Sequence, residues 1–527
     1  MLPLEYITVG GLLRRTAALF PNRPAVIDHE TRLSYRQFDE LTDCFATALL
    51  RKGVGHGDHV VLFGEAEAEV LALFFAIQRI GAVAVMVNTA LVRTDLETVL
   101  RLGDPMLICI GISYQKDRSL AADVKALGNL PAIVEGVFTM GSAVSEFYPP
   151  LRAEESKDEA AVAEVEKQVR CEDTAVIIFT SGSTGLPKPV MTSHYSRVNG
   201  GIQQSNDFAA SCEDVFCVAV PMFHCFTIST NIMASTAVGG CICLPDNRHT
   251  GSILRAIQRH RCTVLHAVPS MYRAIMARKD FGEYDISTLR VGIIGGSSYP
   301  PNDFIRIEEG FGMTLASSLG QTESTAGLTV CALDDSMEKR STTVGKFMNH
   351  VEGKIADLET GEALAPGKVG EICIKGYLVM QGYYHQPEQT AKAIDADGWL
   401  HTGDLGELDE DGDIILRGRI KELINRGGEK ISPVEVENEI CALPQVDTCR
   451  MIPVPDIHYG EEGCACVVLH EDMSVSEEEI RNHLREQVAA YKIPKYILFF
   501  DKLPLNGTGK VDSAATAARA RAELGIA

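Results

Sequence analysis

One stretch of this chain combines hydroxyls, glycines and a lysine at close spacing: Thr180-Ser181-Gly182-Ser183-Thr184-Gly185-Leu186-Pro187-Lys188. It follows the apolar run Ala175-Val176-Ile177-Ile178-Phe179, which reads as a buried strand bounded by turn residues. A glycine-rich loop after a strand presents backbone N–H groups, hydroxyls and an ammonium to whatever lies above it. Phosphate oxygens suit that arrangement, because amides without side chains can approach closely. A Walker loop needs Gly-Lys-Ser/Thr after its spacer, whereas Lys188 here lies between Pro187 and Pro189, and the dinucleotide fingerprint G-x-G-x-x-G is also missing. The plain alternative is a polar surface turn.

The elements that must hold this loop alternate between helix and strand. Val70 to Ile77 has no polar break and stops near Gly81, as a buried helix would, and Val83 to Val87 follows as a strand. The same order recurs at Ile253 to Arg261 and Thr263-Val264-Leu265, which predicts layered α/β structure. Residues 152–169 are polar and read as an exposed linker. Asp409-Glu410-Asp411-Gly412-Asp413 lacks the calcium-loop spacing and reads as a hairpin turn. Beyond Arg417 about a hundred residues carry their own helix and strand signals, including a helix opened by Pro433.

At 527 residues the chain is too long for one core, and 46% hydrophobic composition suits a globular protein. There are 49 Lys and Arg against 71 Asp and Glu, a formal charge of −22. That balance argues against nucleic acid or anionic lipid as a partner. The 15 cysteines include no C-x-x-C pair, and Cys241/Cys243 and Cys464/Cys466 sit in strand-like runs, so buried reduced thiols are expected. The Met1-Leu2-Pro3-Leu4-Glu5-Tyr6 start has no secretion signal and no apolar run reaches a transmembrane span, so the expected location is cytoplasmic.

The nine-residue loop resembles the nucleotide-binding signature of the acyl-adenylate-forming (AMP-binding) superfamily, in its acyl-CoA synthetase branch. Six further segments resemble that family in order. They are Pro221-Met222-Phe223-His224-Cys225-Phe226, Gly295-Gly296-Ser297-Ser298, Leu319-Gly320-Gln321-Thr322-Glu323, Trp399-Leu400-His401-Thr402-Gly403-Asp404, Gly418-Arg419-Ile420-Lys421-Glu422 and Asn506-Gly507-Thr508-Gly509-Lys510. The resemblance implies a large N-terminal domain of several layered α/β subdomains (1–417), a hinge (418–421) and a smaller mobile α+β C-terminal domain (422–527).

It also implies a two-step reaction with ATP, Mg²⁺ and CoA. A carboxylic acid, expected to be a medium- or long-chain fatty acid, attacks ATP to give acyl-AMP and pyrophosphate, and a thiol then displaces AMP. Free CoA is the expected acceptor and a carrier-protein phosphopantetheine the alternative; oligomeric state stays open, with a homodimer as one option. By the same resemblance, Lys510 is the movable catalytic cation, Thr184 and Glu323 serve phosphate and Mg²⁺, and His224 gates the acid carboxylate. Thr180, Ser181, Gly182, Ser183, Gly185 and Lys188 surround phosphate, while Gly295, Gly296, Ser297, Leu319, Gly320, Gln321 and Thr322 lie by adenine and the α-phosphate. Asp404 and Arg419 hold the ribose, Lys421 is the hinge, and Gly427 and Gly428 admit the pantetheine arm. Three positions depart from the common pattern: Leu319 stands where an aromatic is usual, Pro189 where Gly follows the lysine, and Ser297 where Ala is frequent. Leu319 loses a stacking face for adenine, and Pro189 fixes φ and removes an N–H.

Overall fold

The computed structural model describes residues 2–115, 117–153, 157–180, 186–505 and 511–526. Two seven-stranded sheets dominate the N-terminal four-fifths. The first runs, edge to edge, through Thr314–Ser318, Val291–Gly295, Val264–Leu265, Val215–Cys217, Cys241–Leu244, Pro24–Asp28 and Thr31–Ser34. All its pairings are parallel except the last. The second runs through Gly382–Tyr383, Lys188–Ser193, Thr174–Thr180, Val83–Met86, His59–Phe63, Leu107–Ile110 and Gly136–Thr139. Parallel strands covered on both faces are apolar, as at Val83–Met86 and at Val60 to Phe63, where every residue is buried.

The helix Ala68–Arg79 lies between the sheets, in one core with Val60, Ala84 and Val176 of the second and Val26 and Ile242 of the first. A helix apolar on every side must be covered on every side. Its last residue, Arg79, is fully buried because Asp39 (2.5 Å) and Asp43 (2.7 Å) neutralise it.

A four-stranded antiparallel sheet follows, in the order Val351–Ala356, Gly370–Gly376, Leu400–Leu408 and Ile414–Arg419. The acidic run forms the turn between its last two strands. Asp409 Oδ1 accepts from the backbone N–H of Asp411 (2.9 Å) and Asp413 (2.8 Å), and Lys339 Nζ reaches Asp413 at 2.7 Å. The C-terminal sheet is built from Glu429–Ile431, Ile424–Arg426, Gly460–Leu469 and Val446–Asp456, with Tyr496–Phe499 parallel to Gly460–Leu469. Helices Pro433–Cys441 and Glu477–Gln487 pack on one face and Ser513–Leu524 on the other.

One expectation is corrected. Within the run read as a linker, Glu159–Glu166 is a helix. Asp158 caps it by accepting from Ala161 N (3.1 Å), Val162 is buried, and Glu166 pairs with Arg14 at 2.9 Å. A single buried apolar residue among charges is too faint a period to read from sequence. All fifteen cysteines are free thiols. Among the described residues no helix is long and apolar enough to cross a membrane.

Two fully buried histidines tie this architecture to pH. His194 Nδ1 accepts from Val9 N (3.2 Å) and His266 Nδ1 from Ile293 N (2.9 Å), so both rings must be neutral when folded. Burial pulls their pKa values down to about 4 and about 3. A depressed histidine stabilises the fold above its unfolded pKa, and that contribution is lost as pH falls toward the folded pKa. Below about pH 6.5 the unfolded chain alone takes up the protons, so stability should fall by about 1.4 kcal/mol per pH unit for each ring. Urea unfolding at pH 7, 6 and 5 measures the slope; His266→Gln should flatten it by about half. An unchanged slope in that variant would assign the acid sensitivity elsewhere.

Candidate active site

The carboxyl ends of the parallel strands are where α/β sheets present ligand sites. Strands Val291–Gly295 and Thr314–Ser318 pair with Gly295 opposite Ser318, so Gly295-Gly296-Ser297 and Leu319-Gly320-Gln321-Thr322 emerge side by side. Two glycines there are dictated by crowding. A Cβ at Gly295 would lie 2.6 Å from Ser318 O, and one at Gly320 would lie 2.0 Å from Ala326 O. The short turn Thr322–Ser324 then projects Glu323. Gln321 and Ser324 cap that turn reciprocally, with Gln321 N donating to Ser324 Oγ at 3.1 Å.

Glu323 is the meeting point of the two sheets. Its Oε1 accepts from Thr180 Oγ1 at 3.4 Å, at the end of the strand that feeds the glycine-rich loop. The same oxygen accepts from the Tyr383 hydroxyl at 2.9 Å. Lys188 pairs in register with Thr180 and holds its ammonium 4.8 Å from the Tyr383 ring centroid. Burial first, and the Glu323 charge second, keep the Tyr383 phenol well above its ordinary range, so it remains a donor. Pro189 is buried inside the sheet, and its carbonyl accepts from Tyr384 N at 2.8 Å. The loop residues Ser181, Gly182, Ser183, Thr184 and Gly185, and Lys510 with its own loop, lie outside the described residues.

His224 sits just before the π-helical segment Thr227–Met233, half-buried, with its ring 4.7 Å from that of Phe223. Helical segments of this rare kind concentrate at functional sites. Cys225 brings this loop to the Glu323 turn, its sulfur accepting from Thr322 Oγ1 at 3.6 Å.

The antiparallel sheet supplies the other side. Asp404 and Arg419 face each other in register, with Arg419 Nε 2.5 Å from Asp404 Oδ1. Burial raises the Asp404 carboxyl pKa in spite of that guanidinium. Burial opposes the Arg419 charge, yet Asp404, Glu422 and Glu323 outweigh it and raise its pKa. Arg419 thus stands in the field of Glu323. Gly403, at φ 72°, makes the approach to Asp404, and its N–H donates to Glu371 Oε1 at 2.9 Å. His401 Nδ1 lies 2.8 Å from Glu371 Oε2, which braces the turn from behind.

Lys421 is exposed on the turn Ile420–Glu422 directly after Arg419. Gly427 and Gly428 form the tip of the hairpin between Ile424–Arg426 and Glu429–Ile431, at φ 61° and 100°. Gly427 N donates to Tyr459 O at 2.9 Å. Among the described residues no hydrogen bond or ion pair joins that tip to Glu323. Tyr383 is the participant that sequence reasoning missed. Its strand pairs with Lys188–Ser193 from almost two hundred residues away, and the only local sign is Gly382, at φ 138°.

Comparison with known proteins gives the family. The AMP-binding enzyme family matches residues 13–384, and the AMP-binding enzyme C-terminal domain matches residues 435–510. The chain belongs to the AMP-binding enzyme family, whose members are acid–thiol ligases. It is 36% identical to "Putative acyl-CoA synthetase YngI" of Bacillus subtilis (strain 168), over 97% of this chain and 96% of that one. It is 34% identical to the mitochondrial medium-chain acyl-CoA ligase ACSF2 of Rattus norvegicus, over 96% of this chain and 86% of that protein. Among solved structures, the anthranilate CoA ligase AuaEII in complex with anthranoyl-AMP superposes with a TM-score of 0.86. It is 26% identical and covers 99% of this chain and 98% of that one.

Proposed function

We propose that this enzyme activates a carboxylic acid with ATP to an acyl-adenylate and transfers the acyl group to CoA. The observation that carries the reading is the contact of Glu323 with Thr180, a carboxylate at the end of the strand that leads into the glycine-rich segment. An acid oxygen attacks the α-phosphorus and pyrophosphate leaves; the CoA sulfur then attacks the acyl carbonyl, loses its proton and expels AMP. Both partners of the first step are anions, so cations must be aimed at the charge that develops.

Lys188 and the ammonium of Lys510 are assigned to the phosphate and the attacking carboxylate. Asp404 accepts from the ribose hydroxyls and Arg419 supports it, while His224 orients the acid. Hard oxygen donors suit Mg²⁺, and the Glu323 carboxylate, half-buried and held by two hydroxyls, fits that ion together with Thr184. When bound, Mg²⁺ neutralises phosphate charge. Fatty acids of medium length are one substrate class, given the name borne by the ACSF2 relative. We assign the cytoplasm as the place of action.

Acid-dependent ATP–pyrophosphate exchange tests the first half and CoA-dependent AMP release the second. Exchange without any acid dependence would overturn the reading. A domain rotation about Lys421 is proposed to exchange Lys510 for the Gly427-Gly428 tip between the halves. Lys421→Pro should then impair thioester formation at least about tenfold more than adenylation. Equal losses in single-turnover assays of the two halves would count against alternation.

A further inference from the structure

The antiparallel sheet behind the ribose turn gathers a donor set that the steps above leave unused. On the strand Gly370–Gly376, Ile372 and Ile374 belong to the core, so Glu371 and Cys373 share the opposite face. Cys373 pairs in register with His401 of Leu400–Leu408, while Glu371 pairs with Leu405, so the second strand bulges over Thr402-Gly403-Asp404. With that bulge the His401 ring meets both side chains. Its Nδ1 lies 2.8 Å from Glu371 Oε2 and 3.6 Å from Cys373 Sγ. The carboxylate oxygen, the sulfur and the ring nitrogen all fall within 4.8 Å of one another. A hydrogen-bonded brace accounts for the oxygen. It does not account for the sulfur, because one ring nitrogen cannot both donate to the carboxylate and accept from the thiol.

The separations suit one kind of ion. A tetrahedral Zn²⁺ with bonds of about 2.3 Å to sulfur and about 2.1 Å to nitrogen holds those atoms about 3.6 Å apart. The Cys373–His401 distance already has that value. Nitrogen and oxygen ligands stand about 3.4 Å apart in the same geometry, so Glu371 Oε2 would retreat by about half an ångström. Mixed sulfur, nitrogen and oxygen donors favour Zn²⁺ over the oxygen-seeking Mg²⁺. The outer partners of the ligands are also in place. Asp395 Oδ2 stands 3.6 Å from His401 Nε2, as the carboxylate does that fixes the ring of a metal-bound histidine. Gly403 N donates to Glu371 Oε1 at 2.9 Å, which leaves Oε2 for the ion.

Cys373 is buried, but the ion has a way in, since the side chains of His401 and Asp395 keep 31% and 36% of their surface exposed. Burial first, and the Glu371 charge second, push the Cys373 thiol up to about 12. The sulfur therefore keeps its proton until a dication replaces it. The Glu371 and Asp395 charges that help hold the proton also attract the metal. We propose that Glu371, Cys373 and His401 form a Zn²⁺ site with water in the fourth position, separate from the Mg²⁺ place assigned to Glu323. Bound there, the ion ties Gly370–Gly376 to the bulge that carries Asp404. The inference stands independently of the acid-activation reading.

The test is Zn²⁺ binding to the full chain stripped with EDTA, read by competition with a chromophoric chelator. One equivalent should bind with a Kd of about 1 µM or tighter. Cys373→Ser and His401→Gln should each weaken it at least about 30-fold, and Asp395→Asn about tenfold through the ring. Co²⁺ in place of Zn²⁺ should give a thiolate-to-metal charge-transfer band that Cys373→Ser abolishes. Zn²⁺ should also raise the melting temperature of the wild type but not of Cys373→Ser. Melts of the stripped proteins check folding; if Cys373→Ser does not fold, His401→Gln, at a partly exposed position, decides. Absence of stoichiometric binding, or an affinity unchanged within about threefold in these two variants, overturns the proposal. Binding lost in Glu323→Gln but kept in both of them places the ion at the nucleotide site and overturns it too.

Discussion

Lys510→Ala is expected to slow acyl-adenylate formation by about 10²-fold or more. The first half-reaction brings a carboxylate against a polyphosphate, and the described cations around it are already engaged. Lys188 lies over the Tyr383 ring at 4.8 Å and Arg419 is tied to Asp404 at 2.5 Å. A further ammonium on a glycine-flanked loop is what the chemistry still requires, and Gly507-Thr508-Gly509-Lys510 carries one. Because that cation is proposed to withdraw before thiol attack, thioester formation from supplied acyl-AMP should fall by less than about threefold. Rapid-quench measurement of pyrophosphate release separates the two halves. A release rate within about twofold of wild type would remove Lys510 from the mechanism.

Glu323→Gln is the second large loss, again about 10²-fold in adenylation, with the Mg²⁺ needed for half-maximal rate rising at least about tenfold. The substitution keeps size and retains the backbone contact in which Met380 N donates to Glu323 O at 2.9 Å, so the turn should persist. Tyr383→Phe removes one neutral donor to that carboxylate and should cost about tenfold or less. The ordering of the two variants is the informative part. If Glu323→Gln loses rate with an unaltered Mg²⁺ requirement, the carboxylate serves something other than the metal.

The strand Thr174–Thr180 was legible because it is announced by a five-residue apolar run. Helix Ala68–Arg79, the hairpin turn at Asp409–Asp413 and the Pro433 helix start were legible for the same reason: each is encoded by neighbours in the chain. Tyr383 was not, since its role comes from pairing with Lys188–Ser193 and from the reach of Glu323 on the other sheet. Arg197, fully buried in the helix His194–Asp207, was hidden differently. A lone arginine between Ser196 and Val198 reads as a solvated residue, and only close helix packing shows otherwise. A Cβ on Gly201 would lie 2.4 Å from Met233 Cβ, which seals the helix against the π-helical segment. The helix Glu159–Glu166 was misread because capping and one buried valine outweigh a run of charges only once Arg14 is in place.

The chain's first residues are laced along the outer side of that same helix. Asn199 exchanges hydrogen bonds with Glu5 in both directions, at 2.7 and 2.9 Å, Gln203 Nε2 donates to Leu2 O at 3.0 Å, and His194 receives Val9 N. Whatever is fused ahead of Leu2 therefore pulls on the helix that braces Thr325, behind the Glu323 turn, through Arg197. An affinity handle placed there would load the helix that supports that turn. For kinetic work, the handle belongs elsewhere or should be cleaved away.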